Sequence, residues 1–436
     1  MPQTPRFGVA RVTRFYAPLL LQIMSQTLAY PLVAGIVTHG EHGVNALTAF
    51  SQGQMVMFMI GSLGGGLVTT GLVFAKTWRG YVAFRRLNSW MLGTLIAIQC
   101  LAAMPPFDRW IFEGFFGMGP DLAAIARDTL LYGAVANSGF FVRNLPLVIL
   151  FDNLESAKAN RATFVRIAAT LAFSLVFPRI GLTGPMWGLF ALTAGVWIET
   201  TLSCLYARPY VLALKASGGA AGDITSSGIS GLVAEQFRFT QPLAIGYLLL
   251  AASPLVIAAF VARSANPEDM LAIHYVTLGI ANPLAAGALR IQTVSVKFLP
   301  EYPGDLRLLA YAVVAGLVLG LGPLLFATPL VGDWYFGVFQ NVPDRILPTA
   351  RLAVGLYSIV CVFHAVRGRI EGIAAAKKRP DAIMAGQIAY TVSLFLVCAV
   401  MLPLGCAGWA MAVTSISLAP ACVTLAVYAM LFLRKV

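Results

Sequence analysis

An all-α integral membrane protein of about twelve transmembrane helices, arranged as two pseudo-symmetric six-helix bundles, is the fold class this sequence predicts. Three observations carry that expectation: a composition too apolar for a water-facing surface, apolar runs of spanning length along the whole chain, and an internal repeat. Of 436 residues, 58% are hydrophobic and only 11% charged, with a mean hydropathy of +0.79. A soluble domain carries roughly 25% charged residues because its surface faces water. Crossing the hydrocarbon takes roughly 20 apolar residues in a helix. Backbone amides in lipid must be satisfied within the segment or by closure into a barrel. The runs here are near-continuous rather than alternating, which excludes the barrel.

The spans are expected at 14–38, 45–75, 82–104, 123–151, 161–180, 184–207, 236–262, 270–299, 306–328, 347–376, 381–403 and 408–433. The N-terminus is basic and then apolar past Pro31 to Val37, with no cleavage site, so it reads as a first span and not as a signal peptide. Segments 45–75, 270–299 and 347–376 exceed the length required, so a tilt, a kink or a projection from the membrane is expected there. All six cysteines fall inside apolar runs without CxxC spacing, which argues against a zinc site or a disulfide framework.

Lys and Arg accumulate on the cytoplasmic side of membrane proteins. With both termini inside, inner loops and flanks hold 22 of the 30 basic residues, Arg166 among them, and outer loops hold six. The net charge of +12 is therefore mostly an orientation signal. Nucleic-acid binding would need basic residues clustered on a water-facing domain, and the chain has none.

The repeat is visible by eye. RFYAPL at Arg14–Leu19 returns as RFTQPL at Arg238–Leu243, an offset of 224; Pro31 returns as Pro254, an offset of 223. Val142-Arg143 returns as Val366-Arg367, and Gly181 and Gly184 return as Gly405 and Gly408, all at 224. Ala216–Gly228 is rich in small residues and reads as a flexible linker. The expected domains are an N-terminal six-helix bundle (1–215), a cytoplasmic linker (216–229) and a C-terminal six-helix bundle (230–436). An even number of spans per half relates the halves by an axis along the membrane normal.

Two six-helix bundles joined by a cytoplasmic linker resemble the multidrug/oligosaccharidyl-lipid/polysaccharide (MOP) exporter superfamily. The segments RFYAPL, Leu47–Phe74, Phe239–Val261, Asn282–Asp305 and Ala365–Lys378 resemble, in order and spacing, the progressive ankylosis protein (ANKH-like) family within it. That resemblance implies a bacterial homologue with a central cleft between the bundles. It also implies export of small anions, pyrophosphate, ATP and citrate being the substrates associated with the family. Gly61–Gly71 departs from the family pattern, being small and uncharged where polar and charged side chains are expected.

Charges inside spans are expensive, so each is a functional candidate. Arg143, Arg290 and Arg367 lie eight to ten residues from the cytoplasmic ends of spans 4, 8 and 10, roughly 12–15 Å deep at 1.5 Å per residue. Guanidiniums bind phosphate or carboxylate oxygens in fork geometry; the alternative is snorkelling to the interface, or for Arg367 an intrahelical pair with Glu371. Glu199 is either a coupling site for a proton or sodium ion or the counter-ion of Arg143. Asn144, Asn282, Gln54 and Gln26 are expected to line the same cleft, or else to bond between helices. No cofactor, metal site or enzyme constellation is expected. The expected partners are a small anionic substrate and the lipid bilayer, and the expected state is a monomer. With no targeting segment, a plasma membrane (bacterial inner membrane) with both termini cytoplasmic is expected. The competing function is a MATE-type drug/cation antiporter or a lipid-linked substrate flippase of the same fold.

Overall fold

The computed structural model describes residues 8–26, 29–41, 43–217, 226–301, 306–340 and 342–433. Among these there is no strand. The first half holds α1 (Val9–Gln26), α2 (Ala29–Thr38), α3 (Gly43–Gly61), α4 (Leu67–Phe74), α5 (Trp78–Ala102), α6 (Phe107–Arg109), α7 (Pro120–Asp152), α8 (Ser156–Val176) and α9 (Pro185–Ser217). The second half holds α10 (Ser226–Val261), α11 (Pro267–Leu289), α12 (Ile291–Phe298), α13 (Leu306–Ala327), α14 (Pro329–Gly332), α15 (Leu347–Leu356), α16 (Ser358–Ala376), α17 (Pro380–Met401) and α18 (Gly408–Tyr428).

Among the described residues ten helices are long and apolar enough to cross a membrane. The count is eleven when the pair Trp78–Ala102 and Phe107–Phe115, bent by 76°, is taken as one span. The expected first span corresponds to α1 and α2, between which residues 27 and 28 lie outside the described residues. Most of the expected linker (218–225) also lies outside them, while its ends are helical, α9 running to Ser217 and α10 starting at Ser226.

Each of the three over-long segments is interrupted. The first breaks between α3 and α4 at the glycine-rich stretch, through a tight turn at Ser62–Gly64; glycine lowers helix stability by about 1 kcal/mol relative to alanine. The second breaks at Arg290, between α11 and α12, and the third at Tyr357, between α15 and α16.

The repeat extends to turn geometry. Gly181 and Gly405 both adopt positive φ, 77° and 71°, as caps that glycine enters without a Cβ penalty. The bond closing each turn is also repeated, from Leu182 N to Phe177 O and from Cys406 N to Met401 O. Leu154 and Lys378, again 224 apart, sit at φ 61° and 54°, and the amides of the residues that follow them donate to Leu150 O and Ala374 O.

The compact units do not follow the sequence halves. One, the N unit, is Ser25–Ala244; the other, the C unit, is Met1–Met24 with Ile245–Val436. In the C unit α1 packs on second-half helices: Phe15 meets Phe298 edge-on and the Tyr16 hydroxyl donates to Gly287 O at 3.0 Å. In the N unit the first turns of α10 pack on first-half helices. There Thr240 and Thr70 hydroxyls bond at 2.8 Å, Gln236 donates to Gly80 O, and Phe239 meets Phe74 edge-on. The core of the N unit gathers Val33, Val37, Ala46, Phe50, Leu189 and Leu192.

Candidate functional site

In the N unit three helices converge on one carboxylate. Close crossings bring them together: Gly139 of α7 lies where a Cβ would meet Val196 of α9, and the Thr200 hydroxyl donates to Gly139 O at 3.1 Å. Gly195 of α9 similarly faces the side chains of Thr170 and Arg166 on α8. Glu199 of α9 is 0% exposed. Arg143 of α7 donates through Nη1 to its Oε2 at 2.7 Å, and Arg166 of α8 donates through Nη1 to the same oxygen at 2.9 Å. Thr163 donates to Oε1. Both guanidiniums lie over the Phe140 ring, 5.0 and 6.0 Å from its centroid. The Nε atoms of both arginines are buried without a hydrogen-bond partner. Two guanidiniums thus share one carboxylate. The side chain of Arg143 keeps 11% of its surface exposed.

The C unit holds a cluster at the repeat-equivalent place. Arg143, Thr163 and Arg166 plus 224 are Arg367, Gln387 and Tyr390. Arg367 of α16 is 0% exposed and donates through Nε to Glu371 Oε1 at 2.9 Å and through Nη2 to Gln387 Oε1 at 2.9 Å. Gln387 of α17 closes the ring by donating to Glu371 Oε1 at 2.9 Å. The guanidinium stands 5.1 Å from the centroid of Tyr390, and its Nη1 has no partner. Arg290 and Arg367 both fall within electrostatic reach of Tyr247, as does Glu371.

The structure brings Arg143 to Glu199 and places Arg290 and Arg367 in the other unit. Arg367 has the intrahelical partner Glu371 that the i, i+4 spacing suggested. Asn144 donates to Asn88 Oδ1 at 3.5 Å, a bond between helices. Gln54 is buried, Asn282 is exposed, and the side chain of Gln26 lies outside the described residues. Asn137 donates to Met57 O and to Gln99 Oε1, so it too bonds between helices.

One sequence expectation is corrected. Arg166, assigned to the cytoplasmic flank, is buried because Glu199 attracts it inward; the polar stripe Thr163, Arg166, Thr170 on α8 was the available signal. Glu371 is enclosed as well, at 2% exposure against 0% for Glu199. Gln387 was missed altogether, and only its offset from Thr163 marks it.

No protein-family model matches the sequence, and no curated protein matches it. Solved structures do match. The eukaryotic MATE transporter AtDTX14 aligns over 98% of this chain and 96% of its own at 16% identity, with a TM-score of 0.70. A MOP superfamily transporter from Pyrococcus furiosus, described by a binding pocket of reverse polarity, aligns over 96% and 94% at 14% identity and TM-score 0.70. The Vibrio cholerae MATE transporter VcmN in its bent form aligns over 96% of each chain at 14% identity and TM-score 0.69. At such identities the likeness establishes the fold.

Proposed function

We propose that this chain is a secondary transporter of small anions working by alternating access, with Arg143 and Arg166 as contacts for the anion. One observation carries the reading: two guanidiniums share the single carboxylate of Glu199 at membrane depth. An uncompensated charge there costs roughly 2.5–3.5 kcal/mol on insertion scales. Oxygens of a phosphate or carboxylate would accept the unused N–H groups in short, charge-assisted bonds. Glu199 then serves as the counter-ion that holds both arginines in place, not as a proton or sodium site.

The Pyrococcus furiosus transporter, described by a binding pocket of reverse polarity that suggests a different function, is a precedent for pockets of changed polarity within the fold. The segments resembling the progressive ankylosis family point to pyrophosphate, ATP or citrate. A cation exporter would use free carboxylates, whereas Glu199 and Glu371 are both engaged by arginine. The chain would reside as a monomer in a plasma membrane (bacterial inner membrane), with both termini cytoplasmic.

The test is flux of radiolabelled pyrophosphate, ATP and citrate into liposomes carrying the purified protein. At least one anion should move, and Arg143→Gln should lower its binding by roughly 10–100-fold, the worth of a hydrogen bond to a charged group. Arg143→Lys should recover only part, because the fork is lost. Anion flux indifferent to Arg143→Gln would overturn the assignment.

A further inference from the structure

We infer that the C unit carries a second binding site of different chemistry: a cavity around Tyr357 and His364 that takes a small, uncharged, planar organic molecule bearing a hydrogen-bond acceptor. The cavity has a volume of about 250 Å³ and is walled by α10, α11, α16, α17 and α18. It lies below the roughly 300–1,000 Å³ of drug-sized pockets, which sets the ligand at about one ring with a substituent. Among the described residues no aspartate, glutamate, lysine or arginine lines it. The lining is mostly aliphatic, with Ser253, Asn282, His364 and two tyrosines as the polar groups.

Two of those groups are left without partners. Tyr357 is 1% exposed and its hydroxyl makes no hydrogen bond; the Nδ1 of His364 is likewise buried and unpartnered. Buried polar atoms are nearly always satisfied, because leaving one bare costs about 1–3 kcal/mol. A ligand acceptor at the Tyr357 hydroxyl removes that cost. The ring of Tyr390 forms another part of the wall, with the Arg367 guanidinium 5.1 Å from its centroid. An aromatic wall suits a flat ligand.

The repeat sets the cavity wall beside a differently packed counterpart. Ala281 of the cavity wall corresponds at offset 224 to Met57, and Tyr357 corresponds to Gly133. In the N unit Met57 is fully buried and packs so closely on Gly133 that a Cβ there would collide with its sulfur. Where the first half has a methionine and a glycine interlocked, the second half has an alanine and a tyrosine at a helix break, and both of these line the cavity. Interiors otherwise hold few voids larger than a water.

The experiment uses the full chain in lipid nanodiscs and three probes: acetophenone (neutral, with an acceptor), ethylbenzene (same shape, no acceptor) and benzyltrimethylammonium (cationic). Binding is measured as the saturable part above empty nanodiscs. Wild type should bind acetophenone better than either other probe. Tyr357→Phe should weaken acetophenone about fivefold, in the range of a net hydrogen bond, and leave ethylbenzene unchanged. Ala281→Met, which puts a longer side chain into the cavity wall, should abolish saturable binding of both. Arg143→Gln should leave acetophenone binding unchanged, so failure of the anion assignment and failure of this one are distinguishable. Absence of saturable acetophenone binding to wild type, a preference for the cation, or binding undiminished in folded Ala281→Met would each overturn the site. Should Ala281→Met not fold, the contrast between acetophenone and ethylbenzene in Tyr357→Phe decides.

Discussion

Phe15 meets Phe298 edge-on, with ring centroids 5.7 Å apart and planes at 71°. Exactly one repeat away in the sequence, Phe239 and Phe74 stand at 5.3 Å and 75°. The first pair lies in the C unit and the second in the N unit, although Phe15 belongs to the first half of the chain and Phe239 to the second. These contacts explain why the units break at Met24 and Ala244 and not at the linker. Edge-to-face aromatic pairs contribute about 0.5–1.5 kcal/mol beyond their burial. A double-mutant cycle of Phe15→Leu and Phe298→Leu, read by thermal melting, should return a coupling of that size. The cycle on Phe74 and Phe239 should match it; zero coupling in either would mean that the rings merely fill space.

Glu199→Gln leaves two buried guanidiniums without a counter-charge. Breaking a buried pair typically costs 3–5 kcal/mol, so the variant should melt well below wild type. Replacing Glu199 and Arg166 together by methionine should cost less than Glu199→Gln alone, because it leaves one uncompensated guanidinium, that of Arg143, in place of two. A Glu199→Gln protein with unchanged melting would show that the carboxylate does not clamp the two arginines.

Arg367→Lys should be nearly as damaging as Arg367→Gln. The guanidinium satisfies Glu371 through Nε and Gln387 through Nη2 at once, a fork that a single ammonium on a flexible stem does not reproduce. A loss of about 3 kcal/mol or more is expected for both. Lysine behaving like wild type in a melting experiment would contradict the network.

Leu154 occupies the left-handed region that disfavours every side chain with a Cβ. Leu154→Gly should stabilise the α7–α8 turn by up to about 1 kcal/mol, the strain being 1–2 kcal/mol before glycine's entropic cost. Gly181→Ala, at φ 77°, should move stability in the opposite direction by a similar amount. Chemical denaturation of the two variants side by side checks the sign.

The α7–α8 turn should also loosen in acid. The Tyr210 hydroxyl, followed by Lys158, donates to Glu155 and holds its carboxyl below the ordinary value of 4.5. A depressed carboxyl contributes stability that is fully present above the unfolded value and is lost as pH falls through the folded one. Hydrogen exchange of residues 152–158 should therefore accelerate below about pH 4.5 relative to neutral pH, after correction for intrinsic rates. Tyr210→Phe removes the largest cause and should flatten that dependence; an equal acid response in both proteins would assign it elsewhere.

The sequence by itself determined most of the spans and the repeat, because each is a local or periodic property. Hydrocarbon thickness sets run length, a left-handed cap calls for glycine at both Gly181 and Gly405, and a buried arginine stands out wherever charge is rare. The offset of 224 even foretold that Arg143 and Arg367 occupy equivalent places. Partnership is another matter. Arg166 looked like one more basic residue at the inner end of a span, and only the crossing of α8 with α9 turns it toward Glu199, 33 residues on. Which unit α1 and the first turns of α10 join was likewise decided by packing, where Phe15 finds Phe298 and Phe239 finds Phe74. Helix–helix association in lipid rests on close packing and interhelical hydrogen bonds, and those depend on faces and crossings that a linear pattern of apolar residues does not specify.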